Sequence, residues 1–284
     1  MILNKFTIPL TKTIFWDTSA HGNALITGAR GSGKTFFTFA LMIGLATLPN
    51  NSRSLIGSGT MPTQFYIIDL KNSDMGRLRH VLPKGRVATN KKEAIAVLDR
   101  FIAIMEERAA WIRNNAPFGS TARSLGMPLY YLIIDEFSAT SAAFNEAITK
   151  EEKAMKYHWF TTLRKLSLEG RQQGTFLIIA SQQASVTNSG LPSDIHEQLG
   201  LIAHLGPANK ESYRLTFGNE IKIPRERIDV GEGLMWLEGQ TDRGFLLPFC
   251  APKFNPRTLQ EKVWLALENQ LDGRYLTMTT DDGN

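Results

Sequence analysis

Short runs that are apolar at nearly every position recur along the chain, each closed by polar or glycine-rich residues. They are Ala24–Ile26, Phe65–Ile68, Leu129–Ile134 and Thr175–Ala180, with a fifth at Gly200–Leu205. Runs of this length without polar alternation predict strands buried on both faces, as in a parallel sheet covered by helices. Between them the apolar period changes to that of a helix. One helix is predicted from Phe36 to Leu48. A second starts near Asn90, with apolar residues at Ile95, Leu98, Ile102, Met105 and Ile112 and with Glu106, Glu107 and Arg108 towards the other face. A third runs from Thr149 to Glu169, its buried stripe marked by Met155, Trp159, Leu163 and Leu166 and its end flanked by Gly170 and Gly174. Asn90 with Glu93, and Thr149 with Glu152, have capping-box spacing.

Weaker signals fill the rest. Residues 1–23 read as an edge strand or lead-in anchored by Phe6, Ile8, Ile14, Phe15 and Trp16. Residues 49–62 and 184–199 are rich in turn formers and read as loops, the second with a short helix. A helix is expected over Asn209–Phe217 with Gly218 as its stop. Two short strands, Gly233–Leu237 and Phe245–Phe249, predict a hairpin, and Val263–Leu267 belongs to a last helix. The acidic, Thr-rich end from 271 to 284 is expected to be disordered. The division that follows is a lead-in over 1–23, one α/β unit over 24–270, and the tail.

Candidate chemistry sits at the ends of the predicted strands. The first runs into Gly28, Ala29, Arg30, Gly31, Ser32, Gly33, Lys34 and Thr35. This is the G-x-x-x-x-G-K-[ST] pattern of a phosphate-binding loop. Its glycines let successive N–H groups turn inward around anionic oxygens. Phe36 opens the helix whose positive end faces the same phosphates. Lys34 is placed to meet the β- and γ-phosphates and Thr35 to hold Mg²⁺. About 100 residues later the third strand ends in Asp135 and Glu136. That is the second half of a nucleotide site: Asp135 serves Mg²⁺ and Glu136 orients or deprotonates the attacking water. Loop and acidic pair are expected at adjacent strand tips. Asp69 and Lys71 close the second strand, where ligands bind in open α/β sheets or where a surface ion pair forms. A basic stretch from Lys71 to Lys92 reads as a phosphate-contacting surface, a subunit interface or a solvated loop.

Composition narrows the class. The 284 residues are 43% hydrophobic and 21% charged, as in a globular protein. The longest largely apolar run, Ala40–Leu48, is too short to span a bilayer. The single cysteine, Cys250, lies among apolar residues and is expected in the core, and no disulfide is possible within the chain. His21, His80, His158, His196 and His204 lack metal-ligand spacing. Net charge is +5; the tail holds three aspartates against one arginine, so the remainder carries +7. That excess suits a polyanion such as nucleic acid.

Taken in order, ALITGARGSGKT, FYIIDLK, MEERAAWIR, YYLIIDEF, EGRQQGTFLIIASQQASV and GEGLMWLEG resemble the FtsK/SpoIIIE family of DNA-pumping motor ATPases, within the FtsK–HerA group. The resemblance covers about residues 20–250. It implies a RecA-like P-loop NTPase: a mainly parallel sheet flanked by helices, plus a small C-terminal hairpin. It implies ATP and Mg²⁺ as cofactors and a ring, usually a hexamer, threaded by DNA. It assigns Gln182 as a γ-phosphate sensor and Arg171 to phosphate sensing or to a neighbouring subunit's nucleotide, with Arg164 as a second arginine. Ser181 stands where the family has threonine, and Gln183 where it has arginine. The family's membrane-spanning N-terminal part and winged-helix end have no counterpart, which makes the chain similar to the short FtsK-like ATPases of plasmids, integrative elements and phages. Recruitment then falls to a membrane or relaxosome partner. A related ATPase moving protein or packaging a viral genome, and a nucleotide-switched DNA-binding scaffold, remain as alternatives.

Overall fold

The computed structural model describes residues 6–48, 62–182, 191–223, 227–241, 244–268 and 270. The expectations for residues 49–61, for Gln183, for residues 184–190 of the loop after it, and for the 271–284 tail lie outside those residues.

The described elements, in chain order, are β1 (Thr7–Pro9), β2 (Phe15–Asp17), β3 (Ala24–Gly28), α1 (Lys34–Ala46), β4 (Gln64–Ile68), β5 (Val87–Ala88), α2 (Lys91–Asn115), β6 (Tyr130–Ile134), α3 (Phe137–Asn145), α4 (Lys150–Gln173), β7 (Thr175–Ser181), α5 (Ser193–His196), β8 (Leu201–Leu205), α6 (Lys210–Phe217), β9 (Glu232–Leu237), β10 (Leu247–Cys250) and α7 (Pro256–Leu267). A 3₁₀ turn, Gly76–His80, follows β4.

Eight strands form one sheet in the order β10-β9-β8-β3-β7-β6-β4-β5. The six from β8 to β5 run parallel, and β9 and β10 extend the sheet antiparallel beside β8. The strand ends therefore share one edge, as a RecA-like sheet requires. One expectation changes. The loop strand β3 and the acidic strand β6 are not neighbours, because β7 lies between them. Each is apolar on both faces, so nothing local in the sequence tells which buried strand pairs with which.

Period-2 alternation sorts each central strand between two cores. Ala24 and Ile26 face the α1 and α7 side, while Leu25 faces the α2 and α4 side. In the same way Phe65, Ile67, Tyr131 and Ile133 join the first core, and Tyr66, Ile68, Leu132 and Ile134 the second. Residues 7–9 and 15–17 pair only with each other, so the lead-in is a small separate sheet rather than an edge of the main one. Ile8 packs over Gly44 of α1.

Four further differences have local causes. Arg108 is buried, not outward: it lies one turn from Met105 and Ile112 and two turns from Phe101, and donates to the carbonyls of Gln173 and Pro128. Cys250 is exposed, because β10 alternates and Phe249 takes the inward position. Gly170 lies inside α4 rather than at its end, since a Cβ there would meet the Thr175 carbonyl at 2.2 Å. Gly174, left-handed at φ 67°, is the stop. At Thr149 the capping box is complete; at Asn90 it is half made, because the Glu93 carboxylate takes the Thr89 N–H instead.

Candidate nucleotide-binding site

The loop between β3 and α1 has the backbone its glycines permit. Gly28, Gly31 and Gly33 have φ of 143°, 78° and 103°. A Cβ at Gly28 would strike the Leu205 carbonyl at 2.3 Å, so glycine is required where the loop leaves the sheet. A Cβ at Gly31 would meet nothing within 4 Å. Ala29, Arg30 and Gly31 are exposed, and Gly33, Lys34 and Thr35 are half-buried. The helix α1 begins with Gly33 in a left-handed conformation and no side-chain cap. Its first N–H groups thus face the concavity of the loop, the arrangement that takes an anion. Lys34 donates to the carbonyls of Gly28 and Ala29 at 2.6 and 3.1 Å.

The acidic pair follows β6. Asp135 N–H donates to the Ile68 carbonyl at 2.9 Å, which ties this tip to the end of β4. Glu136 is left-handed at φ 52° and ψ 63°. It and Asn72 are the only non-glycine residues with positive φ among the described residues. A non-glycine residue held there costs on the order of 1–3 kcal/mol, and both lie at this edge of the sheet. Glu136 is 8% exposed. Its Oε1 accepts from the Ser138 hydroxyl at 2.8 Å and the Gln182 N–H at 3.0 Å, and its Oε2 lies 3.3 Å from Lys71 Nζ.

Electrostatics join these groups. Burial pushes the Lys34 ammonium below the usual lysine value, opposed by Glu136 and Asp135. Burial, with the Asp69 charge next, raises Asp135 to about 6, against help from the Ser73 hydroxyl and Lys34. For Glu136, burial acts upward, but the Gln182 N–H, the Ser138 hydroxyl, Lys71 and Lys34 outweigh it and hold the carboxyl below its ordinary value.

Asp69 is structural. It is wholly buried and accepts the N–H groups of Lys71, Ser73 and Gly76 and the Ser73 hydroxyl. The turn so held aims Ser73 at Asp135, 3.2 Å away, and Lys71 at Glu136. The ion pair Lys71–Glu136 was not expected from the sequence; the signal was a lysine two residues past a buried strand. Gln182 follows β7 with its side chain exposed. Arg171 stands apart. It ends α4 ahead of β7, whereas Gln182 comes after it, and a seven-residue strand spans about 20 Å. Arg164 pairs with Asp194.

The residues fit a nucleoside polyphosphate. The loop is open where a side chain would fill it, and the buried Ser32 hydroxyl lacks a protein partner. Thr35 and Asp135 offer the hard oxygen donors that Mg²⁺ takes alongside phosphate and water. Among the described residues no cluster of three or more acids, histidines or cysteines forms a closed metal cage.

Residues 5–118 match the FtsK/SpoIIIE family. Over that part, about two fifths of its length, the chain is similar to the FtsK/SpoIIIE family. It is 26% identical over 249 residues to the Ftsk domain-containing protein YdcQ of Bacillus subtilis (strain 168), covering 86% of this chain and 46% of that protein. The chain thus spans about half the length of that curated relative. Among solved structures, the pCW3 conjugation coupling protein TcpA, as a monomer with ATPγS, superposes with a TM-score of 0.67 at 14% identity, over 91% of this chain and 69% of the other. The cytoplasmic domain of the Thermomonospora curvata Type VII secretion ATPase EccC gives 0.61 at 17% identity, over 96% and 32%. At such identities the superpositions speak for the fold. No described helix is long and apolar enough to cross a membrane.

Proposed function

We propose that this chain hydrolyses Mg-ATP to move DNA, in the conjugative transfer or maintenance of a mobile element. The observation that carries the reading is the cluster at one sheet edge: Lys34 and the loop N–H groups for phosphate, Thr35 and Asp135 for Mg²⁺, and Glu136 held ionised beside them. Bound Mg²⁺ would supply charge neutralisation at the β- and γ-phosphates. Lys34 leaves the Gly28 and Ala29 carbonyls to meet the phosphates. Glu136, already left-handed and ionised, orients the attacking water and takes its proton. Gln182, bonded to Glu136 through its N–H, reports the γ-phosphate. Arg171, a strand's length from its own loop, acts on a neighbouring subunit's nucleotide in a ring. The net charge of +5 and the description of TcpA as a conjugation coupling protein favour DNA as cargo. Contacts mainly to phosphate give weak sequence preference and strong salt dependence.

A second reading, protein cargo, is favoured by the likeness in fold to a secretion ATPase. The test is the ATPase rate of wild type and Glu136→Gln with and without duplex DNA. Stimulation by DNA, lost in Glu136→Gln with nucleotide binding retained, supports translocation. A wild-type rate indifferent to DNA supports protein cargo. Equal rates for the two proteins would overturn hydrolysis by this site and support a nucleotide-switched scaffold.

A further inference from the structure

The tip of β8 packs against the phosphate loop. The Leu205 carbonyl crowds the place of a Gly28 Cβ, a Cβ at Gly206 would stand 2.9 Å from Ser32 Cβ, and the Gly231 N–H donates to the Ser32 carbonyl at 3.3 Å. Beside this contact three buried polar side chains meet. Thr27, directly before Gly28, and His204 of β8 are register partners in the sheet. Thr27 Oγ1 lies 2.8 Å from His204 Nδ1 and 3.3 Å from Thr216 Oγ1 of α6, and Nδ1 is 3.3 Å from the same Thr216 oxygen. Both hydroxyl protons go to carbonyls: Thr27 donates to Ala203 at 3.2 Å and Thr216 to Ser212 at 2.9 Å. Each oxygen then accepts from the ring, which assigns the imidazole proton to Nδ1. Burial, with the Lys34 charge next, pushes His204 down to about 4, so the ring is neutral at pH 7. Nε2 keeps a lone pair and has no hydrogen-bond partner among the described residues. A buried acceptor left unpaired costs free energy that an apolar ring of similar shape avoids. Stability alone therefore favours phenylalanine here, and the gain from histidine lies in what Nδ1 holds.

Resting on the nucleotide reading above, we propose that His204 is a positioning residue for the phosphate loop: its Nδ1–H braces Thr27 against α6 and so holds the chain entering Gly28 in the conformation that receives phosphate. The brace is itself anchored. His196 Nε2–H of α5 donates to the Thr216 carbonyl at 2.9 Å, so α5, α6 and β8 bear together on the residue ahead of the loop. The Tyr213 ring stands edge-on to the imidazole, with centroids 5.1 Å apart at 68°, and fixes the plane in which Nδ1 points. The loop depends on such support because its N–H groups act through direction as much as through charge, and a small displacement loses their aim at the phosphate oxygens. His204 touches no phosphate in this arrangement; it acts through Thr27 alone.

Calorimetric titration with Mg-ATPγS, beside urea unfolding of the same proteins, tests the assignment. His204→Phe fills the space but donates nothing, and should bind about tenfold more weakly than wild type, the worth of one hydrogen bond felt through the loop. His204→Asn, whose amide nitrogen takes roughly the place of Nδ1, should restore binding to within about twofold of wild type. In urea His204→Phe should be at least as stable as His204→Asn, so that affinity and stability move in opposite directions. Thr216→Val should weaken binding in the wild type and add nothing in His204→Phe. Equal affinity of wild type and His204→Phe overturns the proposal. So does a loss of affinity in the Phe and Asn variants alike that follows their loss of stability, since that is a structural role only. If His204→Phe does not fold, Thr216→Val decides, and unaltered affinity in it overturns the proposal. Mg-ATPγS binding that survives Lys34→Ala sinks the phosphate-loop reading instead.

Discussion

Asp135→Asn should make the nucleotide-free protein more stable while removing its use of Mg²⁺. Burial and the Asp69 charge raise this carboxyl from an ordinary 3.8 to about 6. The folded state therefore holds the proton more tightly than the unfolded state. An acid shifted upward binds more protons when folded, so stability falls as pH rises from 3.8 to about 6 and is level above that. At 1.4 kcal/mol for each tenfold change, the ionised group costs about 3 kcal/mol at pH 7. Asparagine keeps the shape and accepts the same Ser73 hydroxyl, but carries no charge towards Asp69 and Glu136. Urea unfolding at pH 7 should show Asp135→Asn up to about 3 kcal/mol more stable, and at pH 4 the difference should shrink towards zero. Saturating Mg-ATP should narrow the gap at pH 7, because a ligand at 100 times its Kd stabilises the folded form by about 2.7 kcal/mol and the variant binds it poorly. A variant no more stable than wild type at pH 7, or a gap that persists at pH 4, would refute the reasoning.

Two more outcomes test other contacts. Lys71 Nζ lies 3.3 Å from Glu136 Oε2, with the two side chains 46% and 10% exposed, so a solvent-screened attraction of about 1 kcal/mol is at stake. Lys71→Met should move the acid limb of the kcat/KM profile to higher pH, because Glu136 loses a cation that keeps it ionised; an unmoved limb would remove Lys71 from any part in setting that base. Arg108→Met leaves the buried carbonyls of Gln173 and Pro128 unpaired and should lower the stability measured in urea by about 3 kcal/mol, with nucleotide affinity unchanged.

The parts legible in the sequence were those written locally. Five largely apolar runs announced five of the six parallel strands, and the candidate residues closing them were expected at the strand ends, where the structure places them. Thr149 and Asn90 marked two helix starts because a capping side chain acts within three residues. The order of the strands was not legible, since β3, β6 and β7 are all buried on both faces and carry no label for their neighbours. The helix α3 was missed because FSATSAAFN holds four Ser, Thr or Asn residues that favour caps and turns; its buried Phe137 and Phe144 stabilise it through packing. Arg108 could have been placed correctly. The stripe Phe101, Met105, Arg108, Ile112 follows the helical period, and only the habit of assigning charges to the outer face overrode it. The Lys71–Glu136 pair needed β4 beside β6, which is knowledge of pairing rather than of composition.

That insertion of β7 has a consequence for how the site is held. With β7 between the loop strand and the acidic strand, Gln182 arrives from the intervening strand and meets Glu136 through its N–H. Lys71 arrives from the strand on the other side. Glu136 is thus gripped from β4 and β7 at once, while its own left-handed backbone is kept in place by the turn into α3. Each grip lowers its proton affinity, and together they outweigh the burial that would raise it. A carboxylate so engaged is ionised at neutral pH but has both oxygens occupied. To face a water it must loosen one contact, and Lys71 is the half-exposed, screened one. Were Glu136 to act as the base proposed above, the Lys71 contact is the one it would release, whereas the Gln182 N–H is fixed by the sheet.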